Sequence, residues 1–252
     1  MKHQDVLRYQ NRLAWFSSIA LLCGSAFSSW VKAQDIELPR IDIVGREQNA
    51  SSKIPGTVDV IDQKRMEELQ PQSLQDVLRT VPGVNIRGDE GGFGAIPNIG
   101  IRGLNPARST KVLLLEDGAP IHPSLFISNA SYYSPPVERI GGIEVLKGAS
   151  GLQYGPSNIG GVVNYLTKTP SQGFKLTGKV GNYGYRLAEI EAGGKSSSNG
   201  AVGGINLIQS ESNGYQGNGF KMYDILMKGG IEIAQNQWLS VKYTHYDNNI
   251  NT

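Results

Sequence analysis

Residues 141–168 read GGIEVLKGASGLQYGPSNIGGVVNYLTK. Ile143 to Leu146 is a short apolar run of strand character, closed by a turn of glycines and small residues. A second glycine-rich turn leads into another strand-like run, Val162 to Thr167. Glycine is in excess throughout, at 32 of 252 residues, against a usual share of about 7%. In this stretch Gly148, Gly151, Gly155, Gly160 and Gly161 suit backbone turns and close packing rather than chemistry. The stretch is not a phosphate loop, because Lys147 precedes the glycines instead of ending them.

Working outward, residues 54–170 read as a mixed α/β globule. Residues 57–61 (TVDVI) predict a strand. Residues 73–80 (SLQDVLRT) begin with a capping serine, with Asp76 three residues on. Leu74, Val77 and Leu78 then fall at i, i+3 and i+4, a one-sided apolar helix that Pro82 and Gly83 terminate. Residues 99–102 and 111–116 predict strands, the second closed by an Asp117–Gly118 turn. Upstream, residues 34–53 are polar. Within them Ile41, Ile43 and Gly45 alternate with Asp42, Val44 and Arg46, a strand-competent segment. In an exposed tail such a segment adds to a partner's sheet edge; the alternative is an ordinary first strand.

The first 33 residues have the grammar of a secretory signal peptide. Arg8 and Arg12 precede an apolar stretch from Leu13 to Phe27, and small residues around Val31 and Ala33 suit a cleavage site. The apolar stretch is shorter and more polar than the ~20 residues a spanning helix needs. The formal charge of +2 comes largely from this segment, and what remains is close to neutral, so no basic face for nucleic acid is expected. The single cysteine, Cys23, lies in the same segment, which leaves no disulfide or thiolate metal site in the exported chain.

After Pro170 the texture changes to short alternating segments separated by Gly, Asn and Ser. Phe174, Leu176 and Val180, then Tyr223, Ile225 and Met227, then Leu239, Val241 and Tyr243, alternate with charged and polar residues. Segments near 185–193 and 201–209 carry the pattern more weakly. Residues 171–252 have room for about five strands of about ten residues with one apolar and one polar face. Tyr183, Tyr185, Trp238, Tyr243 and Tyr246 fall near strand ends, where an aromatic girdle would place them. A soluble β-sandwich gives the same alternation.

Five blocks in order carry a resemblance: RIDIVG (40–45), SLQDVLRTVPGV (73–84), GIRGLNP (100–106), LLLEDGAP (113–120) and the opening stretch. Together they closely resemble TonB-dependent outer-membrane receptors of Gram-negative bacteria, most of all the ferric dicitrate type. Residues 100–106, 108–110 and 154–164 carry that last likeness. The loops at 89–97 and 121–130 depart from that type's polar ligand contacts.

The resemblance implies a signal peptide (1–33), a periplasmic tail with the TonB box (34–53), an α/β plug (54–170), and the first strands of an antiparallel transmembrane β-barrel (171–252). Such a barrel needs about 22 strands. An isolated five-strand sheet has unpaired edges that lipid cannot satisfy, so the chain reads as the front of a longer receptor or as a truncated product. No extra domain precedes the box, so transcriptional signalling is not expected. Ile41, Asp42, Ile43, Val44 and Gly45 would form the box that pairs with TonB. Arg102, Glu144 and Lys147 are the candidate plug–barrel contacts; the alternative is that they are solvated surface charges. Phe93, His122, Phe126 and Asn129 lie in candidate ligand-facing loops.

The implied function is active uptake of a ferric chelate across the outer membrane, with ferric citrate one option. The partners would be TonB, the chelate and outer-membrane lipid. The alternative is a truncated periplasmic binding module without transport. No catalytic residue, cofactor or protein-held metal is expected. His3, His122 and His245 are far apart in sequence, and neither a triad nor a paired carboxylate suggests an enzyme.

Overall fold

The computed structural model describes residues 56–88, 96–122, 130–148, 151, 154–155, 158–169, 172–196, 200–214, 219–234 and 237–250. The expected signal peptide and TonB box, with Phe93, Phe126 and Asn129, lie outside these residues.

The α/β layer opens with β1 (Thr57–Ile61), α1 (Gln63–Leu69) and α2 (Leu74–Leu78). Ser73 caps α2 in a reciprocal box with Asp76, as its sequence predicts. Helix α1 has no apolar stripe and buries only Met66, which is why periodicity does not reveal it. Its start is fixed by Asp62, whose carboxylate accepts the Arg65 N–H at 2.8 Å. Next come β2 (Val84–Ile86) and β3 (Ile99–Ile101), which pair with each other. Then follow β4 (Val112–Glu116), β5 (Ala119–Pro120), β6 (Ile140–Lys147) and β7 (Gly161–Thr167). The main sheet has the order β1-β6-β7-β4-β5. Only the β4–β7 pair is parallel.

Strands β4, β6 and β7 are buried along their whole length. Covered on both faces, they read as continuous apolar runs rather than alternating ones. Leu114, Ile143, Val145, Val163 and Tyr165 pack with Val77 and Leu78 of α2. On the opposite face Leu113, Leu115, Leu146 and Val162 form a second cluster.

Five further strands follow: β8 (Gly173–Val180), β9 (Arg186–Lys195), β10 (Val202–Ser212), β11 (Phe220–Ala234) and β12 (Gln237–Ile250). They form an antiparallel meander in sequence order. Pairing aligns Leu176, Ile190, Leu207 and Ile225 in one row across the sheet. The row on the other face runs Thr177, Glu189, Ile208, Asp224, Tyr246. Exposure then separates the two readings of the alternation. Phe174, Leu176, Val180, Leu239 and Val241 are exposed, Val180 by 87%, whereas Glu189, Glu191, Asn206, Ser210 and Asp224 are buried. A soluble sandwich would bury the apolar face. This sheet is inside out, apolar toward its surroundings and polar toward the α/β layer, as a lipid-facing barrel wall requires.

One expectation needs correction. Tyr183 and Tyr243 are exposed, but Tyr185 and Tyr246 pack inward around Leu187, Ile208 and Met222, and Trp238 packs on Val202. Nearness to a strand end does not set which face a side chain occupies; register does.

Gly161 begins β7 with φ +145°, and a Cβ there would lie 2.1 Å from the Leu146 carbonyl oxygen. Gly161→Ala is expected to cost at least about 1–3 kcal/mol from the dihedral alone. The clash with β6 adds to that. Hydrogen exchange of the whole receptor should show faster exchange in β6 and β7 and an unchanged β9–β11.

Candidate functional site: a buried charge seam

The two layers meet along ionic contacts that begin at a tight turn. Asp117 (φ 48°) and Gly118 (φ 79°) are the two loop residues between β4 and β5, the positive-φ pair that an Asp-Gly hairpin favours. The Asp117 carboxylate accepts the Thr167 N–H at 2.8 Å and its hydroxyl at 2.6 Å. The Gly118 N–H donates to Asn164 Oδ1 at 2.9 Å. So pinned, the turn presents two acids to β11 and β12. Lys242 Nζ lies 3.1 Å from Glu116 Oε1 and 2.7 Å from Asp117 Oδ2. Lys228 Nζ is 3.7 Å from Asp117 Oδ2 and donates to the Thr167 carbonyl at 3.1 Å.

Arg139 ends the 3-10 turn at Val137–Arg139 that feeds β6, and it is 1% exposed. It donates from Nη2 to Glu116 at 2.8 Å and from Nη1 to Asp224 of β11 at 2.7 Å. It also donates to the Tyr133 hydroxyl. The Tyr133 ring meets Tyr246 of β12 edge-on, with centroids 5.2 Å apart. Nearer β8 and β9, Lys168 lies 2.8 Å from Glu189, which also accepts from Asn206 at 3.0 Å. Lys179 lies 3.6 Å from Glu138.

The seam sets its own ionisation. Burial disfavours the charged form of Asp117, but Lys228 and Lys242 outweigh it and hold its pKa below the usual value. Burial likewise opposes the Arg139 charge, and Glu116, Tyr133 and Asp224 reverse that, so its pKa rises. Burial pushes the Tyr133 hydroxyl upward, which keeps it a neutral acceptor for Arg139. Among the described residues no group of three or more His, Cys, Asp or Glu is placed to hold a metal. What the arrangement does is join two layers through contacts that water can replace.

The residues expected to clamp the layers sit elsewhere. Glu144 is 2% exposed and accepts from Asn164 at 2.8 Å in the neighbouring strand. Lys147 pairs with Asp59 at 2.6 Å across β1–β6 and donates to the Pro82 carbonyl. Arg102 is exposed at φ 57°, its N–H bonded to the Gly83 carbonyl at 2.8 Å and its guanidinium beside Gly148. The partners described for all three lie within the α/β layer: Asn164 for Glu144, Asp59 and the Pro82 carbonyl for Lys147, and the Gly83 carbonyl for Arg102. His122 is also corrected. It is 9% exposed, and its Nε2 accepts the Leu114 N–H at 2.9 Å, so it fastens the chain back onto β4 instead of facing a ligand. Sequence reasoning missed Arg139 as a contact. The partial signal for its partner was the polar face of the alternating strands, which carries Asp224, Lys228 and Lys242.

Arg139→Ala leaves Glu116 and Asp224 buried without their shared cation, and should destabilise the attachment by about 3–5 kcal/mol. The urea midpoint for release of the α/β layer in the detergent-solubilised receptor measures this. Acid should act through Asp117. Its folded pKa is depressed, so its contribution is complete above its ordinary value of about 4 and lost as pH falls through the lower folded value. The same midpoint should therefore fall on acidification below about pH 4, and Asp117→Asn should remove that part of the dependence.

Comparison with known proteins follows this geometry. Residues 50–162 match the family model described as "TonB-dependent Receptor Plug Domain". The ferric citrate transporter FecA, in its unliganded form, superposes with TM-score 0.71 at 21% identity, covering 83% of this chain and 34% of FecA. The ferripyoverdine receptor of Pseudomonas aeruginosa bound to ferripyoverdine gives 0.64 at 20% identity, covering 78% and 26%. The siderophore receptor PirA from the same organism gives 0.58 at 23%, covering 78% and 34%. The chain thus spans about a third or less of the length of these solved structures, and at such identities they speak for the fold. Residues 50–162 are a TonB-dependent receptor plug domain, and the chain joins that plug to five strands of an antiparallel barrel wall, as in the ferric citrate-type fold.

Proposed function

We propose that this chain is the front of an outer-membrane receptor of a Gram-negative bacterium that takes up a ferric chelate by an energy-coupled route. One observation carries the reading. A wall that is apolar outward and charged inward is tied through buried ion pairs to a domain whose family works as a plug. Such a plug closes the lumen it occupies, so passage requires it to move, and the outer membrane has no ATP to move it.

In this reading the tail segment Ile41, Asp42, Ile43, Val44 and Gly45 pairs with TonB by strand addition. TonB then pulls on the plug. Phe93, Phe126 and Asn129 lie in loops that meet the chelate from outside. Iron arrives already chelated, and ferric citrate is the first ligand to try because the FecA fold covers most of this chain.

The test uses the receptor as the sole ferric-chelate receptor in cells supplied with radioactive ferric citrate. Uptake should stop on collapse of the proton gradient. Ile43→Pro should abolish it and spare binding, since proline removes a ladder donor. Uptake of a different ferric chelate would reassign the ligand alone. Energy-independent accumulation, or normal uptake by Ile43→Pro, would overturn the reading or its TonB box respectively.

A further inference from the structure

Asn164 stands in the middle of β7, between Val163 and Tyr165, and is fully buried. It shares the strand face of Val162, whose cluster is Leu113, Leu115 and Leu146. An amide buried on such a face costs free energy unless its donor and its acceptor are both matched. Register sets Glu144 of β6 opposite it on one side and Leu115 of β4 on the other. Its Nδ2 donates to Glu144 Oε2 at 2.8 Å, and its Oδ1 accepts the Gly118 N–H at 2.9 Å. The seam begins one residue from that second bond, at Asp117.

Two matched bonds give the amide a direction. Turned over, it would set its NH2 group against the Gly118 N–H and its oxygen against the Glu144 carboxylate. A backbone N–H only donates and an ionised carboxylate only accepts, so both bonds would be lost together. The turn depends on that direction. Asp117 takes φ 48°, a left-handed conformation that few residues without glycine's freedom adopt. What it serves is exacting as well. Lys228 and Lys242 stand directly opposite each other on β11 and β12, where like charges repel. Asp117 Oδ2 lies within ion-pair distance of both, and a carboxylate placed elsewhere would leave that repulsion standing.

We propose that Glu144 and Asn164 are positioning residues of the seam: the carboxylate orients the amide, the amide fixes the Asp117–Gly118 turn, and the turn holds Asp117 between Lys228 and Lys242. Glu144 thus acts on the seam through Asn164. The functional meaning rests on the uptake reading above. In that reading the seam parts and re-forms, and a turn with one orientation returns Asp117 to the same two lysines.

The test is the urea midpoint for release of the α/β layer in the whole detergent-solubilised receptor, followed from about pH 3 to about pH 7. The part due to Asp117 is the difference between each variant and the same variant carrying Asp117→Asn, so titration at positions 144 and 164 cancels. The groups that face Asp117 stay unchanged throughout: Lys228 from β11, Lys242 from β12, the Thr167 hydroxyl from β7 and the neighbouring Glu116. Asn164→Leu should abolish the Asp117 part. Glu144→Gln, whose amide can partner either orientation of Asn164, should cut it about twofold. Glu144→Gln combined with Asn164→Asp should restore it, because a carboxylate on β7 accepts from both the Gly118 N–H and an amide on β6. A merely structural pair would lower the midpoint equally at every pH and leave the Asp117 part untouched, which overturns the proposal. A loss that the combined variant does not recover overturns it too. If Asn164→Leu does not insert, the other two variants decide. Ferric chelate uptake is measured in parallel. A parent that takes up no chelate while the Asp117 part follows this pattern defeats the uptake reading and upholds the positioning. Uptake with an Asp117 part indifferent to the variants defeats the positioning alone.

Discussion

Arg139 keeps its charge at any working pH and has almost no contact with water. A buried guanidinium is tolerable only where acceptors surround it, and this one draws them from both layers: Glu116 from the plug, Asp224 from the wall. That convergence constrains where β11 can lie against β4. Apolar burial could not impose it, being non-directional. The Tyr133–Tyr246 contact adds a second point beside the first, so the plug cannot simply rotate about a single ion pair.

The polarity of the seam follows from the wall's other face. A strand has two faces, and in β8–β12 the outward one is committed to apolar residues. The inward one is then free to carry charge, and the plug meets it with charge. Two apolar surfaces would have held as well or better, since a buried ion pair seldom outperforms a packed hydrophobic contact. Their separation would expose apolar surface to water. Parted charges are instead rehydrated, so a polar seam can be firm when closed and still open without that penalty.

The sequence announces the plug more clearly than the seam. Strands β4, β6 and β7 are continuous apolar runs, and the Ser73 box and Asp117–Gly118 turn are local chemistry, so both can be read one segment at a time. The five wall strands can also be read, including the two weaker ones, because alternation survives even where Gly193, Gly194, Gly203 and Gly204 dilute it. Helix α1 escaped because it is short and turns only Met66 and Leu69 toward the core. The contacts of the seam escaped for a different reason. Glu144 and Lys147 look like good clamp residues because they are charges beside glycine turns, yet the partners described for them, Asn164, Asp59 and the Pro82 carbonyl, belong to the plug. Arg139 and Asp224 are 85 residues apart, and no local pattern joins them. Only register, which places Asp224 in the inward row with Glu189, makes it a partner for the plug.

The placement of the anchors bears on how a pull would act. Strand β1 is the edge of the plug sheet, with β6, β7 and β4 beyond it in order. It is also the least buried of these strands, and Asp59 ties it to Lys147 of β6. The anchors lie on β4 and at the start of β6, and Thr167, which Asp117 holds, is the last residue of β7, the final strand of the plug sheet before the wall strands begin at Gly173. Force entering at Thr57 therefore meets a lightly buried edge strand and one ion pair before it reaches Arg139. An edge can peel while the seam at β11 and β12 stays closed, so a local rearrangement of the plug is mechanically cheaper than its expulsion as a body.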